Sequence, residues 1–285
     1  MLKGIILAGG QGTRLYPSSR VVSKQLMNVY DKPLIYYPLS TLMLAGIKDI
    51  LIITSPEYID QFKELLGDGS KYGISLLYEV QKKPSGIAEA FIIGEDFIGD
   101  DNVCMILGDN IMYGNNLDDI LEKCKNNTGA TIFSYAVKDP ERFGVVEYKG
   151  SKVISIEEKP KHPKSKRATI GLYFCDKRAV EYAKELSPSI RGELEIVDIW
   201  NRYLEDGDLN VEHLNRGITW IDAGTFDSLL LASNFIATIE KVQSYKISCP
   251  EEISYKNGWI TRDELSDLSE FYLKSGYGKY LKSLL

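Results

Sequence analysis

The sequence predicts an α/β fold: a doubly wound, mostly parallel sheet with a small antiparallel lobe and a helical C-terminal segment. Three observations carry this expectation. Short apolar runs alternate with helix-length segments through the first half. Val103-Cys104-Met105-Ile106-Leu107 is apolar throughout, as a strand covered on both faces must be. Three loops of unusual composition each follow such a run, where open α/β sheets bind ligands.

Residues 4–8 read as the first strand and run directly into Gly9-Gly10-Gln11-Gly12-Thr13-Arg14-Leu15. Residues 34–45 read as a helix stopped by Gly46, and 49–54 as a second strand. A helix from Pro56 to Leu66, a strand at 74–80, a helix at 86–97 and the strand at 103–107 follow. After one more helical segment comes a strand at 130–137. The second half changes character. Strand-like pieces at 144–148, 153–157 and 168–174 have no helices between them, which predicts an antiparallel lobe beside the main sheet. A helix at 195–204, a strand ending at Asp222 and a long helix at 226–242 come next. The tail reads as mixed, with a short closing helix near Tyr280. The chain is thus one domain in three parts: a nucleotide-binding half (about 1–137), a ligand-binding half (about 138–225) and a helical tail (about 226–285).

Composition narrows the function. The balance of 34 basic and 40 acidic residues lacks the footprint of a nucleic-acid binder. The longest apolar stretch, 34–47, is interrupted by Pro38 and falls short of the roughly 18 residues a membrane span needs. The N-terminal apolar run is too short for a signal peptide. Cys104, Cys124, Cys175 and Cys249 are widely spaced and form no metal pattern. A cytoplasmic protein fits these features.

The glycine loop presents backbone N–H groups at close range, and Arg14 and Lys24 add cations, a combination suited to a nucleoside triphosphate. It is not a Walker loop, which would end Gly-Lys-Ser/Thr, nor a dinucleotide fingerprint, because Leu15 stands where a third glycine belongs. Asp109 and Asp222 each end an apolar strand, and two converging carboxylates beside phosphates suit Mg²⁺. Glu157-Glu158-Lys159-Pro160 closes an alternating strand, placing an acceptor for sugar hydroxyls beside a cation for a phosphate. His162 and His213 lie in no acid–base arrangement, which leaves positioning and charge neutralisation as the means of catalysis.

These motifs resemble the bacterial glucose-1-phosphate thymidylyltransferases, of the Rossmann-like sugar nucleotidyltransferases, over essentially the whole chain. The first loop alone indicates the wider group. Asp31-Lys32-Pro33-Leu34-Ile35-Tyr36-Tyr37-Pro38 and Arg191-Gly192-Glu193-Leu194-Glu195 are specific to this member. The resemblance implies transfer of a thymidylyl group from dTTP to glucose 1-phosphate, the first step of dTDP-rhamnose-type deoxysugar synthesis. It places Gly9, Gly10, Gly12, Thr13, Arg14 and Gln25 at the nucleotide, with Gln81 and Gly86 at the thymine edge. Asp109 and Asp222 would hold Mg²⁺. Asn110, Gly144, Glu158 and Thr169 would meet the glucose, and Lys159 and Arg191 its phosphate. Arg14, Lys24 and Lys159 would be catalytic.

The resemblance also implies a homotetramer with a second nucleotide site for feedback by dTDP-rhamnose, near Asn115, Arg216 and residues 246–252. Departures from the family pattern are Phe143 for Tyr, Thr169-Ile170 for Val-Thr, Ala223 for Thr, and Asn115 where His is frequent. Rival readings are the same chemistry on UTP or another sugar phosphate, and a catalytically silent relative that binds sugar nucleotides and regulates a partner.

Overall fold

In the computed structural model, which describes residues 1–10, 12–150 and 152–285, β1 (Leu2–Ala8) lies inside a nine-stranded sheet. A small hairpin of β2 (Asn28–Val29) and β3 (Lys32–Pro33) leads into α1 (Tyr36–Leu44). The parallel half continues with β4 (Asp49–Thr54), α2 (Ile59–Leu66) and β5 (Ser75–Val80). It closes with α3 (Glu89–Ile93), α4 (Glu95–Ile98) and β6 (Asn102–Leu107). β1 pairs in parallel with β4 on one side and β6 on the other, and β4 pairs with β5. The carboxyl ends of β1, β5 and β6 therefore share one edge, as the three unusual loops require.

Side-chain alternation explains the unbroken apolar runs. Ile5, Leu51, Ile53, Val103 and Met105 face one core, with Phe91, Trp200 and Tyr203. Ile6, Ile50, Ile52, Cys104 and Ile106 face the other, with Leu39, Leu42, Phe62 and Leu281. Each buried aliphatic side chain contributes about 1.5–3 kcal/mol, so both faces must be apolar.

Residues 86–97, expected as one helix, form two short ones. Gly94 separates them, and a Cβ there would lie 3.0 Å from Ile5, so the close approach of β1 requires the glycine that interrupts the helix.

The second half contributes β7 (Asn110–Gly114), α5 (Leu117–Cys124) and β8 (Ala130–Ala136). β9 (Gly144–Lys149), β10 (Lys152–Glu158), β11 (Arg167–Cys175) and α6 (Arg178–Glu185) follow. Then come α7 (Ile196–Glu205), β12 (Leu209–His213), β13 (Ile218–Asp222) and α8 (Phe226–Gln243). β11 is the junction. Its Leu172–Cys175 end pairs antiparallel with β6, Ala168 pairs with Val145 of β9, and β8 runs along its other side past an irregularity between Thr169 and Tyr173. The antiparallel lobe is thus a continuation of the main sheet, splayed at β11.

The tail is wholly helical where the sequence suggested a mixed segment: α9 (Pro250–Lys256), α10 (Arg262–Phe271) and α11 (Gly276–Ser283). A capping box of Thr261 and Glu264 starts α10. Leu265, Tyr277 and Leu281 then join the core that α1 covers. Among the described residues no helix is long and apolar enough to cross a membrane. All four cysteines are buried and unpaired.

Candidate active site

A cleft of about 740 Å³ opens at the shared strand edge, lined by the glycine loop, both aspartates and the rim of the antiparallel lobe. The aspartates meet through the backbone. β13 pairs antiparallel with β7 so that Asp222 stands opposite Asn110, and Ala223 N donates to the Asp109 carbonyl oxygen at 2.9 Å. Asn110 is 2% exposed and pins the site: its Nδ2 donates to Asp109 Oδ1 at 2.9 Å. Its Oδ1 accepts from Trp220 Nε1 at 2.6 Å and from Gly171 N at 3.1 Å. The side-chain oxygen of Asn110, a residue expected at the sugar, is therefore already used within the protein.

Lys24 forms an ion pair with Asp109 Oδ2. Burial works against the charge on Asp109, but Lys24 outweighs it and holds the carboxyl below its usual range. Asp222 moves the other way. Burial, then the neighbouring charge of Asp109, push it up to about 6, against the opposing pull of Lys24, Arg14 and Arg142.

Arg14 sits over Gly224, where a Cβ would lie 2.8 Å from its guanidinium, and among the described residues no carboxylate lies within ion-pair distance of it. Gly10 and Gly12 have positive φ, as their backbone turn requires, and Ser19 Oγ donates to the Gly12 carbonyl at 2.7 Å. Thr13 is exposed beside them, and Gln11 lies outside the described residues.

Gln25 is buried and accepts from Ser23 Oγ at 2.7 Å. Gln81 packs against Gly9 so closely that a Cβ on Gly9 would lie 2.5 Å from Gln81 Oε1. Its Nε2 donates to the Gly86 carbonyl at 3.1 Å. A smaller hollow of about 290 Å³, lined by Gly10, Tyr58, Gln81 and Pro84, adjoins the loop from the other side.

Across the cleft, Gly144 faces Thr169, whose Oγ1 would lie 2.6 Å from a Cβ on the glycine and 3.4 Å separates that position from Glu158 Oε2. Burial raises the Glu158 carboxyl, although Lys159 and Arg191 pull it down. Lys159 Nζ lies 3.4 Å from Glu158 Oε1. Arg191 is held by Glu195 as a fork, Nε to Oε1 at 3.1 Å and Nη2 to Oε2 at 2.5 Å. Its Nη2 also lies 3.3 Å from Glu158 Oε1.

The chain matches the family model for nucleotidyl transferases over residues 3–239. It is 58% identical over 286 residues to glucose-1-phosphate thymidylyltransferase of Neisseria meningitidis, covering 100% of this chain and 99% of that protein. The Xanthomonas campestris glucose-1-phosphate thymidylyltransferase is 54% identical over 284 residues, covering 99% and 96%. The chain belongs to the glucose-1-phosphate thymidylyltransferases of the nucleotidyl transferase family. Its fold follows: a putative glucose-1-phosphate thymidylyltransferase from Bacillus anthracis, solved in complex with a sucrose, superposes with a TM-score of 0.77. That structure is 45% identical, with 82% of this chain and 95% of that chain covered.

Sequence reasoning about this family member missed several residues at the cleft. Arg142 lies 3.7 Å from Asp222 Oδ2 and is bound to Asp139 at 2.6 Å. Its only sequence signal is the run Asp139-Pro140-Glu141-Arg142. Phe143, one of the departures from the family pattern, packs edge-on against Trp220 with centroids 5.2 Å apart, and both line the cleft. Glu195, which orients Arg191, was visible only as part of a motif.

Lys24 already pairs with Asp109 and Arg142 lies 3.7 Å from Asp222, and among the described residues no group of three or more His, Cys, Asp or Glu side chains forms a closed metal cage. Two carboxylates at one strand edge are a donor pair of the kind that holds a divalent cation. Such a pair suits an ion that shares its remaining positions with substrate phosphates and water.

The residues expected near a second nucleotide site lie in separate elements. Asn115 and Arg216 are exposed at one end of the β7–β13 ladder, where Gly114 pairs with Ile218. Lys246 is instead committed to Asp31 and Glu240 in a network that includes buried Lys32.

Proposed function

We propose that this nucleotidyltransferase moves a thymidylyl group from dTTP to α-D-glucose 1-phosphate, releasing pyrophosphate and forming dTDP-glucose. The observation that carries the reading is one cleft in which the Asp109–Asp222 pair and two cations face a sugar-suited rim of Glu158, Lys159 and Arg191. The relatives' shared activity supports it.

Arg14 and the backbone N–H groups around Gly9, Gly10, Gly12 and Thr13 hold the triphosphate, with Gln25 closing the floor of the cleft. Lys24 and Arg14 neutralise the pyrophosphate as it departs. Gln81 and Gly86 meet the thymine edge. Asp109 and Asp222 would hold Mg²⁺, which supplies charge neutralisation at the phosphates when bound. Glu158 accepts from sugar hydroxyls, Gly144 and Thr169 leave room for the ring, and Lys159 and Arg191 hold the sugar phosphate. Asn110 serves mainly by fixing Asp109.

A phosphate oxygen of glucose 1-phosphate then forms a bond to the α-phosphorus of dTTP as the bond to pyrophosphate breaks, in line. This nucleophile is already anionic at neutral pH, so no histidine base is needed. His213 is accordingly used elsewhere, with Nδ1 2.7 Å from Ser134 Oγ. The chemistry reduces to screening two anions and fixing their approach.

We also assign the helical tail to oligomer contacts in a homotetramer and Asn115 and Arg216 to a second nucleotide site. Four unpaired, buried cysteines accord with a cytoplasmic setting.

The test is pyrophosphate release with Mg²⁺, glucose 1-phosphate and dTTP, UTP, CTP, ATP or GTP in turn. Strongest turnover with dTTP is expected. No release with any nucleotide or sugar phosphate would overturn the reading in favour of a silent sugar-nucleotide binder.

A further inference from the structure

The Gln81 amide is locked from one side. Its Nε2 donates to the Gly86 carbonyl at 3.1 Å and to Glu89 Oε2 at 2.8 Å, which uses both amide hydrogens. Turning the amide over would set its oxygen against a carbonyl and a carboxylate with no proton between them. The orientation therefore follows from the neighbours' chemistry. Oε1 is left facing Gly9 and the glycine loop, and among the described residues no group donates to it. The Gly86 carbonyl is one acceptor. Glu89, the first residue of α3, is the second, and its carboxylate brings the charge.

We propose that Glu89 is a positioning residue that sets base selectivity by making Gln81 present an acceptor, never a donor, to the nucleotide base. The inference rests on the proposed thymidylyl transfer with Gln81 at the base. A base edge that meets Oε1 must bring an N–H. Thymine and uracil carry a proton on N3. Cytosine carries a lone pair there, so its N3 is turned away, and its amino group reaches Oε1 only if the ring slides along the cleft. Glu89 touches no reacting atom, and its influence passes through Gln81.

The experiment measures kcat and KM for dTTP, dUTP and dCTP with saturating glucose 1-phosphate and Mg²⁺, in the full chain and in its Glu89→Ala and Glu89→Gln variants. Alanine suits a helix start, and glutamine keeps a carbonyl acceptor, so both variants retain the fold. In Glu89→Ala the kcat/KM ratio of dTTP to dCTP falls about tenfold or more, the low end of what a hydrogen bond to a charged group contributes. The change appears in KM rather than kcat. The dTTP to dUTP ratio stays within about twofold, because both bases donate at N3. Glu89→Gln retains most of the discrimination.

Equal losses for all three nucleotides, or an unchanged dTTP to dCTP ratio, would overturn the proposal and reduce Glu89 to packing. Failure of the unmodified chain to turn over dTTP would sink the functional reading instead, before any variant is compared.

Discussion

Replacing Asp222 by Asn removes one of two neighbouring, partly buried carboxylates while keeping its shape. In the folded chain burial, then Asp109, push Asp222 from 3.8 up to about 6. A gap of about two pKa units corresponds to about 3 kcal/mol. Because the folded value lies above the unfolded one, the folded state holds the extra proton between them. Stability from this group is full below about pH 4, is lost as pH rises, and is gone above about pH 6. The Asn variant does not titrate there. With metal removed by a chelator, Asp222→Asn is therefore expected to be more stable than the parent by about 1–3 kcal/mol near pH 7.5. The lower bound allows for an amide that must find an acceptor. The advantage should shrink near pH 5. Urea unfolding followed by tryptophan fluorescence at both pH values reads this directly. Turnover should meanwhile fall roughly 100-fold or more, the scale for losing one charge-stabilising group. A variant less stable than its parent near pH 7.5, or an advantage independent of pH, would refute the electrostatic account of the aspartate pair.

Lys24→Met leaves Asp109 charged and partly buried without its cation, so stability near neutral pH should drop by about 1–3 kcal/mol. Because Lys24 lowers the Asp109 pKa, that loss should fade in acid as the carboxyl protonates, which thermal unfolding across pH can follow. Gly9→Ala drives a methyl group to 2.5 Å from Gln81 Oε1, so displacing the hydrogen-bonded amide should cost about 1–3 kcal/mol of stability and raise the KM for dTTP about tenfold. Equal binding of dTTP by calorimetry would remove Gly9 from the nucleotide site. Glu158→Gln should reduce kcat/KM for glucose 1-phosphate far more than it weakens dTTP binding, and equal loss in both would sink the sugar role.

The parallel strands were legible because burial on both faces leaves no polar position in them. Their loops were legible because the chemistry of a sheet edge concentrates there. The pairing that joins Asp109 to Asp222 was harder to see. β7 begins right after the turn that carries Asp109, and its five residues, Asn110-Ile111-Met112-Tyr113-Gly114, give too short a pattern to announce a strand. The tail was under-read although it carries helix-start signals, Pro250 at a first turn and the Thr261/Glu264 box. Arg142, Glu195 and Glu89 escaped for a different reason. Each acts on a neighbour distant in sequence or hidden by the local turn, and nothing in a charge's own identity says which partner it will orient.

The two sides of the cleft are held at a fixed separation by backbone rather than by side chains, and this matters for a reaction without acid–base machinery. Leu194 N donates to the Ser85 carbonyl at 2.7 Å, and Ala88 N reaches back to the Leu194 carbonyl at 3.4 Å. Gly86 lies so close that a Cβ would come within 2.4 Å of the Leu194 carbonyl oxygen. The loop bearing Arg191 is thereby fastened to the loop that follows Gln81, while the β7–β13 ladder fastens the two aspartates to each other. Main-chain fastening adds no side-chain rotamer entropy to the cost of positioning, whereas ordering a lysine or arginine costs up to about 2 kcal/mol. Where a misplacement of about 1 Å can cost roughly 100-fold in rate, this division is economical. The groups that set the distance between the two phosphates rest on paired backbone. Lys159, about half exposed beyond the end of β10, keeps the freedom to follow the charge that arrives.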